Sequence, residues 1–166
     1  MGYEFKPVKP SEIKNKVEKS IRLLLKYDDF LLYSDAHERS ITHKLAEYLQ
    51  SEFVEWNVDC EYNRKGHELP KQLKDWEVIY EEEINKDKEK IKNVFPDIIV
   101  HQRRTRSNLL VIEVKKSSNN DTGQSDKDKI KAFRNELGYK YGVFINFETD
   151  KKATIKDLKW FPSEKF

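Results

Sequence analysis

The sequence runs Phe95-Pro96-Asp97-Ile98-Ile99-Val100, then through a short basic loop, and then Leu109-Leu110-Val111-Ile112-Glu113-Val114-Lys115-Lys116. These two segments are among the most apolar in a chain of 166 residues that is 37% charged, and yet Asp97, Glu113 and Lys115 interrupt them. Charged side chains are rarely buried unless they are paired or bind a metal. The two segments therefore predict neighbouring buried strands that carry a functional cluster of charges.

Composition favours one folded domain that spans residues 1–166. The hydrophobic share is only 37%, but nine Phe, eight Tyr and three Trp supply bulky core side chains. The single cysteine, Cys60, excludes an intrachain disulfide, and we expect it to be a small core residue. Neither a signal-peptide pattern nor an apolar run of roughly 20 residues occurs, so we expect a cytoplasmic protein with no membrane partner. A net charge of +2 does not by itself imply nucleic-acid binding.

Apolar spacing predicts the elements on the N-terminal side of the opening stretch. Residues 11–26 have helical periodicity, and so does a second segment that begins after Ser34 or Asp35 and ends near Phe53. Residues 56–64 alternate as expected for a half-exposed edge strand. Residues 66–94 are predicted to form a helical or irregular insertion.

The remaining elements follow from the same patterns. Residues 98–102 and 109–116 are predicted strands, joined by a loop of a length that suits a β-hairpin. A helix over residues 126–137 then leads to a strand over residues 141–147, which a crossover helix would lay parallel to an earlier strand. Residues after about 149 fit either a last strand or a docking tail.

Strand geometry brings the three interrupting charges together. Glu113 and Lys115 are two residues apart and so share a face, while the hairpin lays Asp97 beside them. Two carboxylates supply oxygen ligands of the kind that Mg²⁺ prefers, and a nearby ammonium can steady a nucleophile or a transition state. The alternative is an ion pair of Lys115 with Asp97 or Glu113 that only caps the edge of the sheet.

Pro96-Asp97 followed by Glu113-Val114-Lys115 resembles the bipartite signature of the PD-(D/E)XK, or restriction-endonuclease-like, nuclease superfamily. The element order αβββαβ over about residues 34–147 is similar to the common core of that superfamily. The resemblance implies an α/β fold with a three-layer core, in which helices flank a mixed central β-sheet. It also implies bound Mg²⁺, with Mn²⁺ able to substitute, with Asp97 and Glu113 as metal ligands and Lys115 as the group that orients water. Lys116 would then point outward and have no catalytic role.

The resemblance adds a fourth residue to the site. Many members place a metal-binding glutamate on the helix before the first core strand, and Glu38 matches that position. The alternative is a capping box, in which Asp35 caps the helix and Glu38 closes back onto the backbone three residues later.

Basic residues near the site in sequence are candidates for contacts with DNA phosphates. The set comprises Arg64, Arg103, Arg104, Arg106, Lys127, Lys131 and Arg134. Together with the signature they predict a metal-dependent nuclease that hydrolyses DNA phosphodiester bonds. The alternatives are a nuclease-fold module that binds DNA or a protein in a repair or defence complex without cutting, and a structural protein whose charges are merely paired. Because so small a domain has limited surface for gripping DNA, a homodimer or a larger protein partner is compatible with either binding role.

Overall fold

A five-stranded mixed β-sheet forms the centre of the fold in the computed structural model, which describes residues 7–61, 95–119, 121–149 and 152–166. The strands lie side by side in chain order: β1 (Asn57–Cys60), β2 (Ile98–His101), β3 (Asn108–Lys116), β4 (Tyr141–Glu148) and β5 (Thr154–Phe161). β3 and β4 are parallel, and the other neighbouring pairs are antiparallel. The predicted α/β class with a mixed central sheet is confirmed.

Helices cover both faces of this sheet. The α-helices are α1 (Pro10–Tyr27), α2 (Phe30–Tyr33), α3 (Glu38–Glu52) and α4 (Gln124–Leu137), and a 3₁₀ turn follows at Ser163–Lys165. On one face, buried residues of α1 and α3 pack with Ile112 and Val114. On the other face, Ile130 and Phe133 of α4 pack with Val111 of β3. The central strand β3 is therefore buried on both sides, as its unbroken apolar sequence predicts.

Most predicted elements are confirmed, with small changes of boundary. β5 shows that the strand is the correct alternative for the end of the chain. The short helix α2 is not predicted by the sequence pattern. The prediction that Cys60 is a core residue is wrong, because Cys60 is exposed at the end of the edge strand β1.

Some predictions fall on residues that the structure does not describe. The insertion at 66–94 and the last part of the predicted first strand, residues 62–64, lie outside the described residues. Among the helices of the described part of the chain, none is both long and apolar enough to cross a membrane.

Candidate active site

The β2–β3 hairpin brings Asp97 and Glu113 into contact. Ile98 pairs with Ile112 across the hairpin, so Asp97 lies opposite Glu113 where β2 begins. The backbone N–H of Asp97 donates to Glu113 Oε1 at 3.4 Å, and the backbone N–H of Val114 donates to Asp97 Oδ2 at 2.8 Å. The predicted convergence of these two carboxyl groups is what the structure shows.

Burial makes both carboxyl groups energetically costly to ionise. Glu113 has no solvent exposure, and its pKa lies well above the ordinary value because of burial first and the nearby Asp97 charge second. Burial likewise raises the pKa of Asp97, although Lys129 and the Val114 N–H act in the opposite direction. Such a pair is stabilised by a cation placed beside it.

Lys129 of α4 supplies that positive charge. Its Nζ lies 2.6 Å from Glu113 Oε2, and its side chain is only 15% exposed. The charges of Glu113 and Asp97 outweigh the effect of burial and raise the pKa of Lys129. Sequence reasoning missed this residue, although Asp126 and Lys129, three apart on α4, are placed by helical spacing on the face that carries Ile130 and Phe133.

Lys115 has carboxylate partners that the sequence analysis did not identify. Its Nζ donates to Asp121 Oδ2 at 3.0 Å and to Asp126 Oδ2 at 2.9 Å. Burial by itself would lower the pKa of Lys115, but the hydrogen bonds to Asp126 and Asp121 raise it. The alternative of a simple ion pair between Lys115 and Asp97 or Glu113 is therefore wrong. Lys115 is held in place by the loop after β3 and the first turn of α4.

Glu38, the first residue of α3, reaches the same end of β3. Its Oε2 accepts a hydrogen bond from the backbone N–H of Lys116 at 3.3 Å. Burial raises the pKa of Glu38, and the charge of Asp97 raises it further, so the two carboxyl groups interact electrostatically. Glu38 thus belongs to the same cluster as Asp97 and Lys115.

The capping-box alternative for Glu38 is wrong. The residue that precedes α3 is His37, and no side chain caps the helix. The Asp35 carboxylate instead pairs with Lys116 Nζ at 2.9 Å and accepts a hydrogen bond from the Ser118 hydroxyl at 2.8 Å. Lys116 therefore points away from Lys115, as strand alternation predicts.

The predicted DNA-contacting residues divide between the two ends of the sheet. Arg103, Arg104 and Arg106 lie in the exposed hairpin loop at the far end of β3, where Arg103 pairs with Asp59. Arg64 lies outside the described residues.

The other three are on α4. The Nζ of Lys127 lies 3.4 Å from Asp157 Oδ2 and 4.7 Å from the centroid of the Phe144 ring. Lys131 is exposed, and its Nζ lies 3.7 Å from Asp128 Oδ1. Near the end of the helix, Arg134 Nε donates a hydrogen bond to the backbone carbonyl of Lys140. Because α4 begins at the site, Lys127 and Lys131 are nearer to the site than Arg134. A role of these three residues in DNA binding stays a prediction.

The cluster as a whole carries excess negative charge when its groups are ionised. Five carboxyl groups lie near the ammonium groups of Lys115 and Lys129. The five carboxyl groups are those of Glu38, Asp97, Glu113, Asp121 and Asp126. Within the described ranges, no three carboxylate, imidazole or thiol groups are arranged so that they could hold a metal ion as they stand. The chemistry of the donor set nevertheless suits a hard cation, because carboxylate oxygens predominate in it.

Comparisons of the chain with protein-family models, with curated proteins and with solved structures found no match.

Proposed function

We propose that this protein is a Mg²⁺-dependent nuclease that hydrolyses DNA phosphodiester bonds on a restriction-endonuclease-like fold. The observation that carries the proposal is the contact between the buried carboxyl of Glu113 and Asp97, with Lys115 on the same face of β3. Structural proteins rarely bury two carboxyl groups side by side, because each raises the energy of ionising the other. The helix-covered mixed sheet, in which the crossover helix α4 joins two parallel strands, is compatible with that fold.

Asp97, Glu113 and Glu38 are the residues proposed to hold the metal. All three are carboxyl groups whose pKa is raised by burial, so a divalent cation would offset the energy of keeping them ionised. A bound Mg²⁺ would neutralise charge on the attacked phosphate and lower the pKa of a water molecule. Mn²⁺ would supply the same chemistry at these oxygen ligands.

Lys115 is proposed to orient the attacking water and to stabilise the negative charge that develops on the phosphate. Its ammonium forms ion pairs with Asp121 and Asp126, and these hold the side chain in one position. Such fixed donors contribute most where water is scarce, and Lys115 is only 7% exposed. The water attacks phosphorus and releases a proton to solvent, the bond between phosphorus and the leaving oxygen breaks, and the leaving oxygen takes up a proton from solvent.

The first test compares substitutions inside and outside the cluster. We expect Glu113→Gln and Lys115→Met to lower the rate of Mg²⁺-dependent DNA cleavage by about 100-fold or more while the protein stays folded. Lys140→Met, the same chemical change at an exposed residue near the far end of the sheet, should cleave normally. Linear, circular and single-stranded DNA should be incubated with Mg²⁺, Mn²⁺ or chelator, and circular dichroism should check folding. Full activity of both cluster variants would refute the proposal.

A second candidate function is a nuclease-fold module that binds DNA or a protein partner without cutting. The observation that favours it is the internal pairing of the charges, since Lys129 neutralises Glu113 and two aspartates hold Lys115. This candidate predicts no cleavage under any of the conditions above. Where the partner is DNA, it also predicts binding that does not require a divalent cation.

A further inference from the structure

We propose that the ammonium of Lys129 occupies the cation position of this site in the metal-free protein and withdraws when a divalent cation binds. Lys129 then sets the affinity of the site for metal. The inference rests on the proposed function, because it takes Asp97 and Glu113 as the metal-binding groups.

The position of Lys129 is the first argument. Its Nζ lies 2.6 Å from Oε2 of Glu113, the one fully buried carboxyl of the cluster. Its charge also acts on Asp97, so one ammonium group serves both carboxyl groups. The carboxyl groups that would hold a divalent cation, Asp97 and Glu113, thus already have an ammonium group beside them.

Mutual exclusion is the second argument. A Mg²⁺ ion requires close and nearly octahedral oxygen contacts, and the Lys129 ammonium, which forms an ion pair with Glu113 Oε2, blocks the oxygen that the ion would use. Two cations beside one buried carboxylate also repel each other strongly, because little water is present to screen them. Metal and Lys129 therefore compete for Glu113.

The contrast with Lys115 shows which lysine is free to leave. Lys115 has two carboxylate partners of its own, Asp121 and Asp126. Within the described part of the chain, the ion pairs of Lys129 are limited to the one with Glu113. A lysine ammonium on a flexible four-carbon stem can swing toward solvent without moving the helix that carries it.

The test measures metal binding without DNA. Wild type, Lys129→Met and Lys131→Met are titrated with Mn²⁺ and with Mg²⁺ by isothermal titration calorimetry at pH 8. We expect the Kd of Lys129→Met to be lower than that of wild type by about tenfold or more, a factor that corresponds to about 1.4 kcal/mol. Lys131→Met removes a charge two residues further along α4, at an exposed position, and should bind like wild type.

Two failures of this test are distinguishable. If wild type binds metal and Lys129→Met binds it equally or more weakly, competition by Lys129 is refuted and the metal site stands. If neither protein binds metal, the proposed function fails and this inference fails with it.

A second measurement uses the wild-type protein and does not depend on how the variant folds. The protein is treated with an amine-acylating reagent with and without saturating Mn²⁺, and the modified lysines are quantified by mass spectrometry. We expect acylation of Lys129 to rise severalfold when metal is added, because the released ammonium becomes accessible, while acylation of Lys131 stays constant. Unchanged or reduced acylation of Lys129 at saturating metal would overturn the proposal.

Discussion

The side chain of Glu113 is fully buried, and its carboxyl group lies between Asp97 and the ammonium of Lys129. Its pKa, like those of Asp97 and Glu38, is raised chiefly by burial. In the folded protein these groups therefore hold protons at pH values where the unfolded chain has already released them. Their ionisation at neutral pH weakens the fold, and the Lys129 ammonium offsets only part of this effect.

This linkage predicts how the stability of the metal-free protein depends on pH. Above about pH 4, where these carboxyl groups begin to ionise in the unfolded chain, the folded state binds more protons than the unfolded state, so the free energy of unfolding should fall as the pH rises. Each carboxyl contributes at most about 1.4 kcal/mol per pH unit within its window. The raised pKa values of Lys115 and Lys129 act only above about pH 10, and the lowered pKa of Asp59 acts only below about pH 4.

Urea unfolding at pH 5 and at pH 8, in the presence of a chelator, measures this effect. The matched control is the double variant Glu113→Gln/Lys129→Met, which removes the buried charge and its partner together and should show a shallower pH dependence. A free energy of unfolding that is constant or rises with pH in wild type would contradict the prediction.

At the scale of elements, the close contact of α4 with β4 determines where Lys129 lies. Gly142 of β4 faces Ile130 of α4, and a Cβ added at Gly142 would lie 2.3 Å from Ile130 Cγ2. Ile130 directly follows Lys129 in the helix. The absence of a side chain at one strand position thus allows α4 to approach the sheet closely enough for Lys129 to reach Glu113.

We predict that Gly142→Ala destabilises the protein by about 1–3 kcal/mol, because the added methyl group forces α4 away from the sheet. Denaturant unfolding measures the loss. Ile130→Ala leaves a cavity and should itself lower the free energy of unfolding by about 2–5 kcal/mol. It also removes the Ile130 methyl group with which a side chain at position 142 would clash. The double variant should therefore lose less stability than the sum of the single variants. Strict additivity would show that Ile130 is not the group that resists the substitution.

The elements that sequence predicts well are those whose pattern repeats several times. The helical spacing of α1 and α3 and the apolar runs of β2, β3 and β4 are local signals, and the structure confirms them. Helix α2 has only four residues, too few to show a period. Asp35 shows a different limit: it has the residue type of a helix cap, but its carboxylate instead pairs with Lys116, 81 residues further along the chain.

The same distinction holds for the candidate site. Strand alternation within one hairpin is enough to place Asp97, Glu113 and Lys115 together, since their relative positions depend on local geometry. Lys129 and Asp126 join them only because α4 crosses β3, and that crossing is decided by the packing of Ile130 and Phe133 against the sheet. Helical spacing places Asp126 and Lys129 on the inner face, but it does not show which strand residue they meet.

At the scale of the whole molecule, the predicted DNA-contacting residues are separated along β3. Arg106 lies in the hairpin loop before β3, and the five strand steps from Asn108 to Glu113 span about 17 Å. Base pairs of duplex DNA stack about 3.4 Å apart, so that separation corresponds to about five base pairs. Lys127 and Lys131 are on the helix that begins at the site itself. If DNA binds with the attacked phosphate at the site, a duplex of about six base pairs would extend only about 10 Å to either side, which would reach these lysines but not the loop.

The last prediction follows from this separation. Arg104→Ala/Arg106→Ala should leave cleavage of a hairpin-closed duplex of about six base pairs unchanged. The same double variant should lower kcat/KM on a duplex of about 20 base pairs, and the slope of log kcat/KM against log salt should become shallower by up to about 2, because two phosphate contacts are lost. Lys127→Ala/Lys131→Ala is the matched pair on α4, and it should weaken cleavage of both substrates. Steady-state cleavage at several salt concentrations measures these effects. Equal losses on the short and the long duplex in Arg104→Ala/Arg106→Ala would mean that the loop acts on the site itself and not through distant phosphates.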